Sequence, residues 1–226
     1  VGVGYGGIRI VSRDSGATWT DRAYAEKNGG DDQELLRAVA YGKGLWIATG
    51  WKLVTSTDGV HWVDHGLISA GAIKDCNVVE GLAYNAGTFF AACTPWNSPG
   101  TVYRSSDGLT WTKLSTIGDT GGHLFLTYRG GKLVAYGDTL TSFQSDDAMV
   151  WTVLPGVQQA TYCQDAFMSQ SACHGSAWFD GVWLRADWQG IISRSTDGQT
   201  FKQAYLDDQM NTLYQSRAIA AGFVAP

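Results

Sequence analysis

The chain has 226 residues, 44% of them hydrophobic and 12% aromatic, with a formal net charge of −5 at pH 7. That apolar content excludes a disordered chain, the lack of a Gly-X-Y period excludes collagen, and no apolar run approaches the roughly 18 residues of a membrane span. The acidic balance argues against a nucleic-acid partner, because nothing here would neutralise a row of phosphates. Among the 21 acids, 18 are Asp and only Glu26, Glu34 and Glu80 are Glu. Asp bends and caps backbone where Glu sustains helix, so with 29 glycines the chain reads as turn-rich and all-β.

The chain opens inside a repeating unit, with strands predicted at Val1–Tyr5, Ile8–Arg13 and Thr18–Arg22. They frame the segment Ser12-Arg-Asp14-Ser-Gly16-Ala-Thr-Trp19. The next unit is complete: strand a at Leu36–Tyr41, b at Leu45–Gly50, c at Leu53–Thr57 and d at His61–Asp64. Gly42-Lys-Gly44 and Asp58-Gly59 are read as tight turns. The segment recurs as Ser56-Thr-Asp58-Gly59-Val-His-Trp62, Ser105-Ser-Asp107-Gly108-Leu-Thr-Trp111, Ser145-Asp-Asp147-Ala-Met-Val-Trp151 and Ser195-Thr-Asp197-Gly198-Gln-Thr-Phe201. Its Asp residues are spaced by 44, 49, 40 and 50. Strand a recurs as Arg37-Ala-Val-Ala-Tyr41, Glu80-Gly-Leu-Ala-Tyr84, Leu124-Phe-Leu-Thr-Tyr128 and Gly175-Ser-Ala-Trp-Phe179. A last copy, Arg217-Ala-Ile-Ala-Ala221, has no segment after it.

Four-stranded units at this period fit propeller blades, and the orphan last strand a would complete the opening blade and remove an exposed edge. The expected fold is a five-bladed β-propeller of four-stranded antiparallel blades in one domain, 1–226. Blade 1 takes 1–22 plus 215–222, blade 2 takes 35–65, blade 3 takes 78–114, blade 4 takes 123–154 and blade 5 takes 174–206. A six- or seven-bladed ring with missing sequence is the alternative count.

The five segments resemble the Asp-box, or BNR repeat, of sialidases, sortilin-type receptors and many secreted propellers. The resemblance implies that Asp14, Asp58, Asp107, Asp147 and Asp197 lock the c–d turns, on the face opposite the ligand. Two copies depart from the pattern, with Ala148 in place of Gly and Phe201 in place of Trp. The physics agrees: the carboxylate accepts backbone N–H groups, Gly supplies positive φ and the aromatic packs between sheets.

The four cysteines admit three pairings. Cys76 precedes a strand a and Cys93 ends the neighbouring strand b, so Cys76–Cys93 follows from topology. Cys163–Cys173 closes a short excursion between blades 4 and 5. Tetrahedral zinc is the competing idea, without CxxC spacing to support it. Disulfides place the chain in an oxidising, extracytoplasmic compartment. With no signal peptide visible, it reads as a mature or trimmed secreted product.

The opposite face, built from b–c loops and d–a links, carries the candidate site. Its b–c loops hold Tyr5, Trp51, Trp96 with Asn97, Asp138, and Asp187 with Trp188. Sugars stack C–H faces on rings and give hydroxyls to amides and carboxylates, so these residues suit a glycan partner. Arg37, Glu80 and Arg217 stand at equivalent starts of strand a, and His123 and His174 come just before it in their blades. The expected function is a secreted, lectin-like, carbohydrate-binding propeller with no cofactor.

A glycoside hydrolase or lyase is the alternative, with Glu80 and one of Asp75, Asp119 or Asp165 as its acids. The characteristic Arg-Ile-Pro of sialidases is absent, and Ile8-Arg9-Ile10 only echoes it. Paired acids need separations of roughly 5–10 Å. A protein-interaction or assembly module, as in sortilin-like receptors, is the third reading. Asp31-Asp32-Gln-Glu34 reads as a calcium contact or a solvated acidic loop, while His61 and His65 read as ordinary outer-strand residues.

Overall fold

The computed structural model describes residues 1–23, 35–93, 99–118, 124–129, 131–136, 142–153, 175–179, 181–186, 191–196, 200–206 and 216–219. Blade 1 holds β1 (Gly2–Gly4), β2 (Arg9–Val11) and β3 (Thr20–Ala23). Blade 2 is β4 (Leu36–Gly42), β5 (Leu45–Gly50), β6 (Lys52–Ser56) and β7 (Val63–Leu67). Blade 3 is β8 (Gly81–Asn85), β9 (Thr88–Cys93), β10 (Thr101–Ser105) and β11 (Thr112–Thr116). Blade 4 is β12 (Phe125–Arg129), β13 (Lys132–Tyr136), β14 (Phe143–Ser145) and β15 (Thr152–Val153). Blade 5 is β16 (Gly175–Phe179), β17 (Val182–Ala186), β18 (Ile191–Ser195) and β19 (Lys202–Leu206), and β20 (Ser216–Ile219) follows.

The last strand closes the ring. β20 pairs antiparallel with β1, with Gly2 opposite Ile219 and Val3 opposite Ala218, so blade 1 runs β20-β1-β2-β3. All five sheets have four strands, and the fold is the five-bladed propeller expected from the repeats.

The hairpins between strands a and b are set by turn chemistry. Lys43 and Gly44 have φ of 51° and 75°, and Ala86 and Gly87 have 46° and 87°. Positive φ at both central residues is the two-residue geometry that matches strand twist. The c–d connection is longer than the two-residue turn read at Asp58-Gly59. Asp58 Oδ1 accepts the N–H groups of Val60 and His61, each at 2.8 Å. That holds His61 and Trp62 in the turn, so the outer strand begins at Val63, opposite Thr55, and not at His61. His61 is therefore a turn residue, while His65 lies on β7 with its Nε2 2.8 Å from Thr55 Oγ1.

The core lies between blades. Ile47, Leu82, Phe89 and Tyr103 fill the seam of blades 2 and 3, and Phe90, Leu126, Leu133 and Phe143 that of blades 3 and 4. Val3, Trp46 and Val54 fill the seam of blades 1 and 2, and Ile8, Ile10, Leu184 and Ile192 that of blades 5 and 1. Full burial of side chains this size stabilises by roughly 1.5–3 kcal/mol each, which holds blades together without a central core.

One contact repeats around the ring. The turn glycine of each described copy presses on the same strand-b position of the preceding blade. A Cβ on Gly108 would lie 2.2 Å from Ile47 Cδ1, on Gly16 2.4 Å from Leu184 Cδ2, and on Gly59 2.9 Å from Val1 Cγ2. Each also has φ between +77° and +79°. Space and backbone conformation both select Gly. In blade 4 Ala148 holds the position with φ 62°, fully buried in the cluster that contains Phe90. The turn survives the departure from Gly: Ala148 N donates to Ser145 Oγ at 2.9 Å and Met149 N to Asp147 Oδ1 at 2.8 Å.

Candidate functional site

Antiparallel strands put the c–d turns at one end of every blade and the b–c loops and d–a links at the other. At the second end, β4 does not run in simple register with β5. Leu36 pairs with Gly50 and Ala38 with Thr49, leaving Arg37 as the extra residue of a β-bulge. β20 does the same against β1: Ala218 pairs with Val3 and Ser216 with Gly4, so Arg217 is the extra residue there. The two arginines thus occupy equivalent bulges on the innermost strands of adjacent blades.

Glu80 is brought to Arg37 by the residue before it. Val79 N donates to Gly50 O at 2.9 Å, and Thr49 Oγ1 donates to Val79 O at 3.2 Å. This fastens the start of blade 3 to the end of β5. Arg37 Nη1 then donates to Glu80 Oε1 at 2.5 Å across the seam, with Glu80 7% and Arg37 21% exposed. The ion pair joins blades 2 and 3 at the channel mouth.

Trp51 follows Gly50 in the b–c loop of blade 2 and is half-buried. Its carbonyl accepts from Ile68 N at 2.8 Å, which folds the d–a link back over the loop. A 3₁₀ turn at Ile68–Ala70 and the bonds Ile73 N→Ile68 O and Cys76 N→Ile73 O carry that link inward. The Cys76–Cys93 disulfide, the pair expected from topology, ties it to the end of β9. Among the described residues four side-chain donors are buried without a hydrogen-bond acceptor, Arg9 Nε, Trp46 Nε1, Arg37 Nε and Trp51 Nε1. Such groups are rare in folded proteins. Arg37 and Trp51 each follow a member of the Leu36–Gly50 pair in sequence.

Asp75, an expected acid partner of Glu80, is exposed and accepts from Tyr103 Oη at 3.4 Å, on strand c of blade 3. Burial, with the Asp75 charge behind it, pushes the Tyr103 hydroxyl up to about 12. Tyr5 begins a 3₁₀ segment, Tyr5–Gly7, in the b–c loop of blade 1. Trp96, Asn97, Asp119, His123, Asp138, Asp165, His174, Asp187 and Trp188 lie outside the described residues, as do Asp31, Asp32, Glu34, Asp197 and the pair Cys163–Cys173. Among the described residues no three His, Cys, Asp or Glu side chains come together to hold a metal. The bulges and the Val79 clasp escaped sequence reading. The echo between Arg37-Ala-Val-Ala and Arg217-Ala-Ile-Ala is the signal that could have found the bulges.

At the far end, four turns share one design. The Ser hydroxyl accepts the Gly or Ala N–H, as in Gly59 N→Ser56 Oγ and Gly108 N→Ser105 Oγ, both 2.8 Å. The Trp indole donates to the carbonyl of that same residue, at 3.0–3.2 Å across Trp19, Trp62, Trp111 and Trp151. The hydrogen bond from the Thr18 hydroxyl holds Asp14 down at about 2, and that from Thr110 N holds Asp107 at about 2. Asp58 is lowered by the His61 ring and Asp147 by Met149 N. The Asp58 contact raises His61 in turn.

No protein-family model matches the chain, and no curated protein matches it. Solved structures do. YCF48 bound to D1 peptide aligns at 13% identity over 74% of this chain and 53% of its own, with a TM-score of 0.44. The GH43 BlXynB protein from Bacillus licheniformis aligns at 17% identity over 74% and 40%, with a TM-score of 0.49. Zg3597, a family 117 glycoside hydrolase of the marine bacterium Zobellia galactanivorans, gives 12%, 74%, 67% and 0.43. The chain spans about half the length of the first of these. All are β-propellers, and at these identities the likeness is one of fold alone.

Proposed function

We propose that this propeller is a carbohydrate-binding, lectin-like protein of an oxidising, extracytoplasmic compartment, and that its repeated turns are Asp-box repeats. The observation that carries the binding reading is the half-buried Trp51 at the same end of blade 2 as the part-buried Arg37–Glu80 pair. An indole face offers a platform for sugar C–H groups, and charged and N–H groups nearby offer partners for hydroxyls. The Ser-Asp-Gly-Trp bonding supports the Asp-box reading. The Cys76–Cys93 bridge supports the compartment.

Binding to a panel of immobilised glycans, run beside a reducing-sugar assay on the same panel, tests the proposal. Trp51→Ala should cut binding at least tenfold while lowering the melting temperature by only a few degrees. A Trp51→Ala protein that melts far earlier yet binds normally would make Trp51 blade packing, since a core Trp costs roughly 3–5 kcal/mol on truncation. Release of reducing ends would favour the hydrolase reading. Trp96 and Trp188, on loops of other blades, should behave as independent sites with additive losses.

A further inference from the structure

The a–b hairpins of blades 2 and 3 share one turn geometry, with Lys43 at φ 51° and Ala86 at 46°, but differ in the side chain they present. Lys43 reaches out of its own blade. Its Nζ donates to Ser106 O at 3.0 Å in the c–d turn of blade 3, and its Cε would lie 3.6 Å from a Cβ on Gly87. Blade 2 thus lays a lysine stem between the hairpin and the c–d turn of its neighbour. Register carries the same places into blade 4. Phe89 pairs with Ser105 and Leu133 with Ser145, so Asp146 stands where Ser106 does and Gly131 where Gly87 does. The residue that would reach them is Ala86, which ends at its methyl. Beyond its chain neighbours, a Cβ on Gly131 meets nothing within 4 Å.

The inner tyrosines differ in the same way. Tyr84 and Tyr128 hold equivalent positions, opposite Phe89 and Leu133. A Cβ on Gly42 would lie 2.2 Å from the Tyr84 ring, so that ring rests on a glycine and is half-buried. Asn85 stands at the place of that glycine in blade 3, and Tyr128 is 40% exposed. In the turn that follows Asp146, Met149 and Val150 are 59% and 68% exposed.

We propose that this open step on blade 4 docks a lysine side chain of a partner protein, with its ammonium on Asp146 O and its stem along Gly131. The preceding seam shows the occupant that fits, because Lys43 makes the same contacts there. A lysine covers apolar surface with its stem while its ammonium takes a carbonyl, and an exposed ring face such as that of Tyr128 attracts the charge. Lys132 Nζ already engages both carboxylate oxygens of Asp146, at 2.7 and 2.9 Å, and Arg129 belongs to the same hairpin. The step therefore has no surplus negative charge. A carbonyl and not a carboxylate takes the ammonium, so salt should affect the contact little. A protein is favoured over a free amine because Met149 and Val150, on the same turn, offer apolar contact that only a larger partner uses. The step lies at the end of the ring opposite Trp51, so it does not rest on the glycan reading.

An NMR titration of the full chain with Nα-acetyl-lysine N-methylamide tests this. Amide signals of Gly131, Asp146 and Asp147 should shift, and the side-chain-acetylated analogue of the probe should leave them in place. Ala86→Lys supplies the missing stem at a φ that Lys43 already adopts. It should weaken probe binding by roughly tenfold or more with its melting curve retained. Lys43→Ala should do the converse and add probe-induced shifts at Gly87 and Ser106. A wild-type protein whose Gly131 and Asp146 signals stay fixed throughout the titration overturns the proposal. So do shifts that persist unchanged in Ala86→Lys, or that the acetylated analogue reproduces.

Discussion

Arg37 and Glu80 are 43 residues apart in sequence and meet across the seam between blades 2 and 3, guanidinium to carboxylate at 2.5 Å. Glu80 is 7% exposed, while Arg37 retains one-fifth of its exposure. Removing one member of a buried pair strands the other, at roughly 3–5 kcal/mol for a fully buried pair. The residual exposure of Arg37 reduces this, so Glu80→Gln should cost about 2–3 kcal/mol in denaturant unfolding. Arg37→Met should cost a similar amount, and the double variant Glu80→Leu with Arg37→Met should recover part of the loss. Strict additivity of the two single losses would mean that the pair is not coupled.

The turn glycines set a packing limit that Ala148 tests. Gly108→Ala would place a methyl 2.2 Å from Ile47 Cδ1 at φ +79°, so overpacking and left-handed strain add. The expected cost is about 2–4 kcal/mol. Shortening the neighbour with Ile47→Val should make the double variant less unstable than the sum of its parts. Ala148→Gly has opposing effects: it relieves strain of about 1–2 kcal/mol but loses a buried methyl worth about 0.8 kcal/mol and gains chain entropy when unfolded. Its stability should change by less than about 1 kcal/mol. Thermal or denaturant melts of the four variants decide both points.

Acid should loosen the turns. Asp14 and Asp107 bind protons at about 2 when folded, against an ordinary 3.8. The unfolded chain therefore takes up protons first as pH falls. The stabilisation is complete above about 3.8 and is lost progressively as pH drops through 2. Melting temperatures should decline between pH 5 and pH 2, and Asp107→Asn should flatten that decline while starting lower at pH 5. His61 acts in the opposite sense: its contact with Asp58 stabilises below its ordinary 6.5 and fades as pH rises through its raised value. Parallel pH profiles for wild type and Asp107→Asn would count against the assignment.

The Cys76–Cys93 bridge spans 17 residues, a loop for which chain entropy gives about 3 kcal/mol. Replacing both cysteines by serine should lower the melting temperature by roughly 6–12 °C for a chain of this size. Hydrogen exchange should also rise at Cys76 and Val79, whose amides donate to Ile73 and Gly50. Unchanged protection there would mean that the hydrogen bonds hold the link without the bridge.

Much of this was legible in the residues themselves. Repeats of Ser-x-Asp-Gly-x-x-Trp at blade spacing, with a strand-a copy left over at Arg217, specify five sheets and the closure of β20 on β1, because turn chemistry and two-residue periodicity are local properties. The Cys76–Cys93 bridge follows from the same antiparallel logic. The tertiary structure decided what depends on contacts between distant segments. The bulge that makes Arg37 an extra residue is a register shift between two strands, set by their pairing and not by the alternation within either one. Val79 reaches Thr49 and Gly50 only once blades 2 and 3 stand side by side, and that clasp delivers Glu80 to Arg37. Asp75, five residues before Glu80 in sequence, takes its hydrogen bond from Tyr103 on the third strand of blade 3, while Val79, between them, is held by Gly50 of blade 2.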